Sequence, residues 1–208
     1  MSRTRKRTHR LRRLAWMVAG IVVVVAVLYG LFGEKGREIL ERNEYPLRYP
    51  AIVRGHAKQY DIDPALLAAV IYSESRFRPH VRSAQGAIGL MQLLPSTAEG
   101  IATRTGGTAF VASDLDDPEI NVRYGAWYLR HLRRHYQGLP DSTTLALAAY
   151  NAGMANVDEW VANTTPGQPL KIPPAFAETR HYLEGIEHAR GVYKRLYPGE
   201  LGLKPPPS

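Results

Sequence analysis

Apolar side chains fill an uncharged run from Leu14 to Phe32, the most pronounced pattern in the chain. Eleven residues of this run are Leu, Ile, Val or Phe, and a helix of its length spans roughly a 30 Å hydrocarbon core. Trp16 and Tyr29 lie near its two ends, where amphipathic rings favour the membrane interface. We therefore expect residues 14–33 to form a transmembrane signal anchor.

A cleaved signal peptide is the alternative for this segment. Such a peptide ends at an Ala-x-Ala-like site behind a shorter apolar stretch. No such site follows Ala26, which favours an uncleaved anchor, although Gly30 and Gly33 leave the alternative open.

Beyond this segment, apolar positions recur at helical rather than strand spacing. The pairs Asp63-Pro64 and Asp117-Pro118 predict helix starts, because Asp caps free backbone amides and Pro suits the first turn. Behind the second pair an apolar or aromatic residue stands at every fourth position: Ile120, Tyr124, Tyr128, Leu132 and Tyr136. Further helices are predicted over residues 142–150, ended by Gly153, and over residues 178–197. The folded part is therefore expected to be mostly α.

Composition sets the expected boundaries of the folded part. Residues 34–50 combine a charged, helix-compatible stretch with two Tyr-Pro pairs, which predicts a juxtamembrane linker. Residues 51–197 are then the folded domain. Residues 198–208 contain three consecutive prolines and are predicted to be a disordered tail.

The charge distribution predicts the membrane topology. Seven basic residues stand in the first thirteen positions, and no acidic residue precedes Glu34. Residues 1–13 are therefore expected to be a basic cytoplasmic tail, with the domain outside the cytoplasmic membrane, by the positive-inside rule. From residue 34 onward basic residues outnumber acidic ones by only one. Because a nucleic-acid binder needs a basic face on its folded domain, we expect no nucleic-acid partner.

Metal and thiol chemistry are not expected. The chain has no cysteine, which excludes disulfide scaffolds, thiolate zinc sites and cysteine nucleophiles. His131 and His135 have the spacing of a helical metal site, but the zincin motif places Glu where this chain has Leu132. We expect no metal, no cofactor and a monomeric protein.

Glu74 is the candidate for acid–base chemistry. The residues before it, from Pro64 onward, are apolar nearly all round, so this helix belongs in a core. Burial disfavours the charged form of a carboxyl and raises its pKa. At the ordinary pKa of ~4.3 only about 0.2% of such groups are protonated at pH 7, against roughly 10% at ~6. The competing interpretation is a glutamate near a helix end that either bends out into water or pairs with Arg76 or Arg78.

Four short motifs occur in a characteristic order and spacing. They are Glu-Ser-Arg-Phe at 74–77, Gly-Leu-Met-Gln at 89–92, Ala-Tyr-Asn-Ala-Gly at 149–153 and Glu-Thr-Arg-His-Tyr at 178–182. Together they resemble the soluble lytic transglycosylase domain, which is related in fold to goose-type lysozyme. The resemblance implies a lysozyme-like helical fold and a peptidoglycan lytic transglycosylase, which cleaves the bond between N-acetylmuramic acid (MurNAc) and N-acetylglucosamine (GlcNAc).

The resemblance also implies roles for individual residues. Glu74 would be the sole catalytic acid and base. Substrate-binding residues would be Ser83, Met91, Gln92, Tyr150, Asn151, Glu178 and Tyr182. Because Glu178 and Tyr182 are one helical turn apart, both can face one groove.

No second carboxylate is clearly paired with Glu74 in the sequence, whereas most glycosidases use two. The 2-acetamido oxygen of MurNAc can replace the second group, and the sugar's own C6 hydroxyl then closes the ring to a 1,6-anhydro end. Two alternatives stay open: a lysozyme-type hydrolase that uses water as acceptor, and a non-catalytic protein that binds the cell wall.

Overall fold

The computed structural model describes residues 3–107, 109–165, 168 and 170–204, without the side chains of residues 3–15, 31, 32 and 34. Residues 205–208, which end the predicted disordered tail, and residues 1 and 2 of the predicted basic tail lie outside this description. The chain divides into two compact units, Met1–Glu44 and Tyr45–Ser208.

The first unit is one helix, α1 (Arg3–Glu44), which also takes in residues 34–44 of the predicted linker. Among the described residues, no single helix is long and apolar enough to cross a membrane. A bent pair, Trp16–Gly30 and Lys35–Glu44 at 47°, meets that requirement by length and composition. The transmembrane anchor stays a prediction.

The second unit is built from seven α-helices and, in its described part, contains no named strand. The helices are α2 (Pro50–Gln59), α3 (Pro64–Ser75), α4 (Pro95–Thr105), α5 (Pro118–His135), α6 (Ser142–Ala152), α7 (Met154–Ala162) and α8 (Ala177–Leu196). Short 3-10 turns at Ala112–Asp116 and Pro174–Phe176 precede α5 and α8. The expectation of a mostly α domain is confirmed.

The two Asp-Pro helix starts are confirmed. Asp63 caps α3 by accepting a hydrogen bond from the Ala65 amide, and Asp117 caps α5 by accepting from the amides of Glu119 and Ile120. Each carboxylate satisfies amides that have no partner within the helix. The predicted helices over 142–150 and 178–197 are present as α6 and α8, with ends shifted by one or two residues.

Helix α3 lies at the centre of the unit. Every residue from Ala65 to Ile71 is at most 5% exposed. The helix packs against α2 and α8, while α5 packs against α2, α4 and α6. Fully burying one Leu, Ile or Val side chain contributes about 1.5–3 kcal/mol. This burial fixes the direction of α3 and therefore the position of Glu74 in its last turn.

Both ends of the folded unit lie outside the predicted limits of 51 and 197. At the N-terminal end of the unit, the hydroxyls of Tyr193 and Tyr197 donate to the carbonyl oxygens of Pro46 and Tyr45, at 3.0 and 2.9 Å. The last residues of the predicted linker therefore belong to the unit.

The predicted start of the disordered tail at Pro198 is too early. Leu201 is only 1% exposed, and the Leu203 amide donates to the Pro198 carbonyl oxygen at 2.8 Å. The Arg54 guanidinium also donates to the Glu200 carbonyl oxygen at 2.8 Å. Residues 198–204 form a turn whose two leucines, Leu201 and Leu203, pack on the core, which proline-rich composition alone cannot reveal.

Candidate active site

Glu74 lies in the last turn of α3, where the chain turns sharply. Arg76 and Phe77 both have positive φ angles, 51° and 58°, and Phe77 is fully buried. The Ser75 hydroxyl donates to the Leu90 carbonyl oxygen at 2.8 Å. This bond ties the end of α3 to the loop that carries the second motif, so the Glu74 carboxyl and that loop stand side by side.

The Glu74 carboxyl is partly buried and has one hydrogen-bond donor from far along the chain. The Tyr182 hydroxyl donates to Glu74 Oε1 at 2.6 Å. Burial raises the pKa of Glu74 from 4.5 to about 7, although the Tyr182 hydrogen bond by itself lowers it. The predicted rise of this pKa is confirmed.

Neither arginine that follows Glu74 neutralises it. In the described part of the chain, no ion pair joins the Glu74 carboxylate to Arg76 or Arg78. The Arg76 guanidinium lies over the Tyr72 ring at 5.8 Å, and the Arg78 guanidinium donates to the Ser75 carbonyl oxygen. The interpretation of Glu74 as one partner of a surface ion pair is therefore wrong.

Two tyrosines bury their hydroxyls next to this carboxyl. Burial raises the pKa of Tyr182 and that of Tyr150, and the negative charge of Glu74 raises both further. Both therefore remain neutral hydrogen-bond donors. The Tyr150 hydroxyl donates to the Met91 carbonyl oxygen at 2.7 Å, which joins α6 to the second-motif loop.

The second-motif loop holds Gln92 in a left-handed conformation, with φ at 46°. Its side-chain Nε2 donates to the carbonyl oxygens of Val81 and Gly89, at 3.1 and 2.9 Å. Both amide protons are thus engaged by the backbone. The side-chain oxygen is the atom of Gln92 that remains to accept a hydrogen bond from a ligand.

Asn121 holds the second-motif loop in place by hydrogen bonds, and this role was not predicted from the sequence. It is fully buried on α5, its Oδ1 accepts from the Met91 amide at 2.8 Å, and its Nδ2 donates to the carbonyl oxygens of Ile88 and Leu115. A Cβ at Gly89 would lie 2.2 Å from Asn121 Nδ2, so the close approach requires glycine. A lone Asn within a helix gives no sequence signal for this role.

A groove of about 570 Å³ opens over Glu74. Six of the predicted site residues line it: Glu74, Ser83, Gln92, Tyr150, Asn151 and Glu178. The Asn151 side-chain oxygen accepts from the buried Thr179 hydroxyl at 2.8 Å, which leaves the amide nitrogen available to a ligand. The first three motifs and the start of the fourth therefore meet at one surface.

Two predicted site residues are placed differently. The Met91 side chain is fully buried, and a Cβ at Gly125 would lie 2.3 Å from its sulfur. The loop turns this apolar side chain into the core and leaves only the Met91 backbone near the site, so a substrate contact of Met91 stays a prediction for its backbone. Tyr182 does not line the groove, and its hydroxyl donates a hydrogen bond to Glu74 instead.

Tyr128 lines the groove but was predicted only as part of an apolar helix stripe. Its ring lies 5.5 Å from that of Tyr150, centre to centre. Gln85, Leu94 and Thr97 also line the groove without having been predicted. The sequence signal for Tyr128 is weak, because core and groove positions share the same helical spacing.

The other acidic and histidine candidates are engaged elsewhere. Asp63 caps α3 and pairs with Arg190 at 2.7 Å, and Asp61 pairs with Arg133 at 2.8 Å. His131 stacks on Trp127, with ring centres 5.1 Å apart. In the described residues no group of three His, Asp or Glu side chains could hold a metal ion. Glu178, which is exposed, is the other carboxylate that lines the groove.

Comparison with known proteins agrees with this geometry. Residues 51–171 match the family model of the transglycosylase SLT domain. The soluble lytic murein transglycosylase of Escherichia coli K12 is 30% identical over 162 residues, which cover 75% of this chain and 24% of that protein. The chain thus spans about a quarter of the length of the relatives it matches.

Solved structures show the same relationship. Lytic transglycosylase Slt of Pseudomonas aeruginosa, solved as an inactive glutamate-to-glutamine mutant, superposes with a TM-score of 0.66 at 30% identity, over 79% of this chain and 26% of that one. The 70 kDa soluble lytic transglycosylase of Escherichia coli gives 0.64 at 24% identity, over 79% and 27%, which shows the common fold. The chain belongs to the SLT transglycosylase domain family.

Proposed function

We propose that the protein is a peptidoglycan lytic transglycosylase in which Glu74 is the catalytic acid and base. The observation that carries the proposal is the Glu74 carboxyl itself, partly buried over a groove and held by Tyr182 at 2.6 Å. With a pKa of about 7, roughly half of these carboxyls are protonated at neutral pH. One group can then both donate and accept a proton in a single turnover.

The first step breaks the bond between MurNAc and GlcNAc. Protonated Glu74 gives its proton to the leaving O4 of GlcNAc, while the 2-acetamido oxygen of MurNAc forms a bond to C1. This internal nucleophile takes the place of the second carboxylate of most glycosidases. The Glu74 carboxylate that remains is stabilised by the hydrogen bond from Tyr182.

The second step returns the proton to Glu74. The carboxylate removes the proton of the C6 hydroxyl, O6 attacks C1, and the acetamido oxygen departs. The product has a 1,6-anhydro ring, and no water enters. The side-chain oxygen of Gln92 and the amide nitrogen of Asn151 are suited to hold the sugar, because their other polar atoms are already hydrogen-bonded.

Mass spectrometry of digested peptidoglycan tests the chemistry. We expect saccharide ends one water lighter than reducing ends, and their loss in Glu74→Gln. A matched control is Glu99→Gln, at an exposed position of α4, which should leave the products unchanged. Reducing ends would instead assign a lysozyme-type hydrolase, and full activity of Glu74→Gln would refute the catalytic role.

We also propose that α1 anchors the protein in the cytoplasmic membrane, with the second unit outside. Between Trp16 and Tyr29, the exposed large apolar side chains are each 48–77% accessible. Soluble monomers rarely present so large a continuous apolar surface to water. The basic start of the chain supports an inside position for the N-terminus. Protease treatment of intact spheroplasts should remove the second unit; its complete protection would contradict this topology.

A further inference from the structure

Helix α8 carries three side chains that reach the candidate active site. Glu178 lines the groove, and the Thr179 hydroxyl donates to the Asn151 side-chain oxygen at 2.8 Å. The Tyr182 hydroxyl donates to Glu74 Oε1 at 2.6 Å. A hydrogen bond between two oxygens spans only about 2.5–3.0 Å, so a small shift of α8 along α3 lengthens or bends this contact. The site therefore depends on the register of α8 against α3.

Asp63, at the opposite end of α3 from Glu74, forms a second link to α8. Its Oδ2 accepts from Arg190 Nε at 2.9 Å and Nη2 at 2.7 Å, and Lys194 Nζ lies 3.0 Å away. Its Oδ1 accepts from the Ala65 amide at 3.0 Å. The planar guanidinium gives the link a defined direction, which hydrophobic burial between the two helices lacks.

The link is partly buried and keeps its charges. The side chains of Asp63 and Arg190 are only 22% and 28% exposed, so salt screens this pair less than a surface pair. Burial by itself raises the pKa of Asp63, but hydrogen bonds from Lys194, Arg190 and the Ala65 amide hold that pKa below its usual value. Asp63 thus stays ionised in the pH range where Glu74 titrates, and the link persists while Glu74 exchanges its proton.

We propose that Arg190 is a positioning residue, which fixes the register of α8 through Asp63 and so keeps the Tyr182 hydroxyl on Glu74. Tyr182 and Arg190 are eight residues apart on α8, or about 12 Å, and Asp63 and Glu74 are eleven apart on α3, or about 16.5 Å. The two links therefore act at well-separated points of the helix pair and oppose both sliding and tilting of α8. The consequence for catalysis rests on the proposed function.

The pKa of Glu74 tests the positioning without requiring turnover. In the detergent-solubilised full chain, isotopically labelled at glutamate carboxyls, the NMR signal of Glu74 is identified by its loss in Glu74→Gln. Because the Tyr182 hydrogen bond lowers the pKa of Glu74, Tyr182→Phe should raise it. Arg190→Gln should also raise it, and the double variant should raise it no further than Tyr182→Phe. In the proposed reaction, kcat of Arg190→Gln should fall by up to the factor of about 10 to 100 that a hydrogen bond to a charged group contributes.

Replacement of Asp63 separates positioning from simple charge effects. Asp63→Asn keeps a side-chain oxygen that can cap α3 but loses the charge that holds Arg190. Removal of a negative charge lowers the pKa of Glu74 through space, whereas loss of the Tyr182 hydrogen bond raises it. We therefore expect a rise in Asp63→Asn as well, and this variant carries the test if Arg190→Gln fails to fold.

A matched control on α8 is Glu187→Gln, which removes the exposed partner of Arg190 at 3.4 Å and should leave the pKa of Glu74 unchanged. An unchanged or lower pKa of Glu74 in Asp63→Asn overturns the proposal. So does a double variant of Arg190→Gln and Tyr182→Phe that exceeds Tyr182→Phe alone. If these pKa values move as expected but wild type forms no anhydro ends, the proposed function fails and the positioning of Tyr182 stands.

Discussion

Replacement of Glu74 by Gln should stabilise the protein while abolishing the proposed activity, and the stabilisation should depend on pH. The carboxyl titrates near pH 7 in the folded protein and near 4.5 when unfolded. Because the folded pKa is the higher one, the folded protein holds the extra proton between these values. The free energy of unfolding therefore falls as pH rises from about 4.5 to 7.

The size of the effect follows from the two pKa values. Their difference corresponds to a destabilisation of the wild-type protein by about 3 kcal/mol. This destabilisation is absent below pH 4.5 and fully present above pH 7. Glutamine is neutral at every pH and can still accept the hydrogen bond from Tyr182. Glu74→Gln should thus match wild type near pH 4 and be more stable by up to about 3 kcal/mol near pH 8.

Urea denaturation at several pH values measures this difference directly. All other titrating groups are common to both proteins and cancel in the comparison. Glu99→Gln is the control, because Glu99 is exposed on α4 and its replacement should give a difference that is flat with pH. If the difference in the free energy of unfolding between Glu74→Gln and wild type also stays constant with pH, the claim that burial holds the proton on this carboxyl is refuted.

Three further predictions concern residues around the site. Tyr182→Phe removes the hydrogen bond that lowers the pKa of Glu74, so the basic limb of the kcat/KM profile should move to higher pH; an unchanged or more acidic limb would contradict this. Asn121→Ala leaves the buried Met91 amide and the Leu115 carbonyl oxygen without their partner, and should lower the free energy of unfolding by about 3 kcal/mol in urea titrations; a loss below about 1 kcal/mol would argue against the role of Asn121 in holding the loop. Met91→Ala should cost about 2–5 kcal/mol in the same assay, where a surface contact with substrate predicts almost none.

Local signals were sufficient for the starts of two helices. The Asp-Pro pairs at 63–64 and 117–118 predicted the starts of α3 and α5, because capping involves atoms only two or three residues apart. The raised pKa of Glu74 also followed from its neighbours, since an apolar helix must be buried wherever it packs. The site residues were identified by motif resemblance, and their catalytic and binding roles stay predictions.

Contacts between segments that are distant along the chain could not be predicted from the sequence. Glu74 and Tyr182 are 108 positions apart, and the hydrogen bond between them exists only because α8 packs against α3. The turn at 198–204 was mistaken for disorder, since its two leucines pack on a core that the local sequence does not describe.

The sequence by itself determined where α3 and α5 start, that α3 is buried and that the Glu74 carboxyl is desolvated, because each depends on neighbours along the chain. Only the tertiary structure decided that Gln92 borders the groove while Met91 turns into the core, and that Tyr182 holds Glu74. These features depend on which surfaces meet across the fold, and adjacent residues in one loop can point to opposite sides of it.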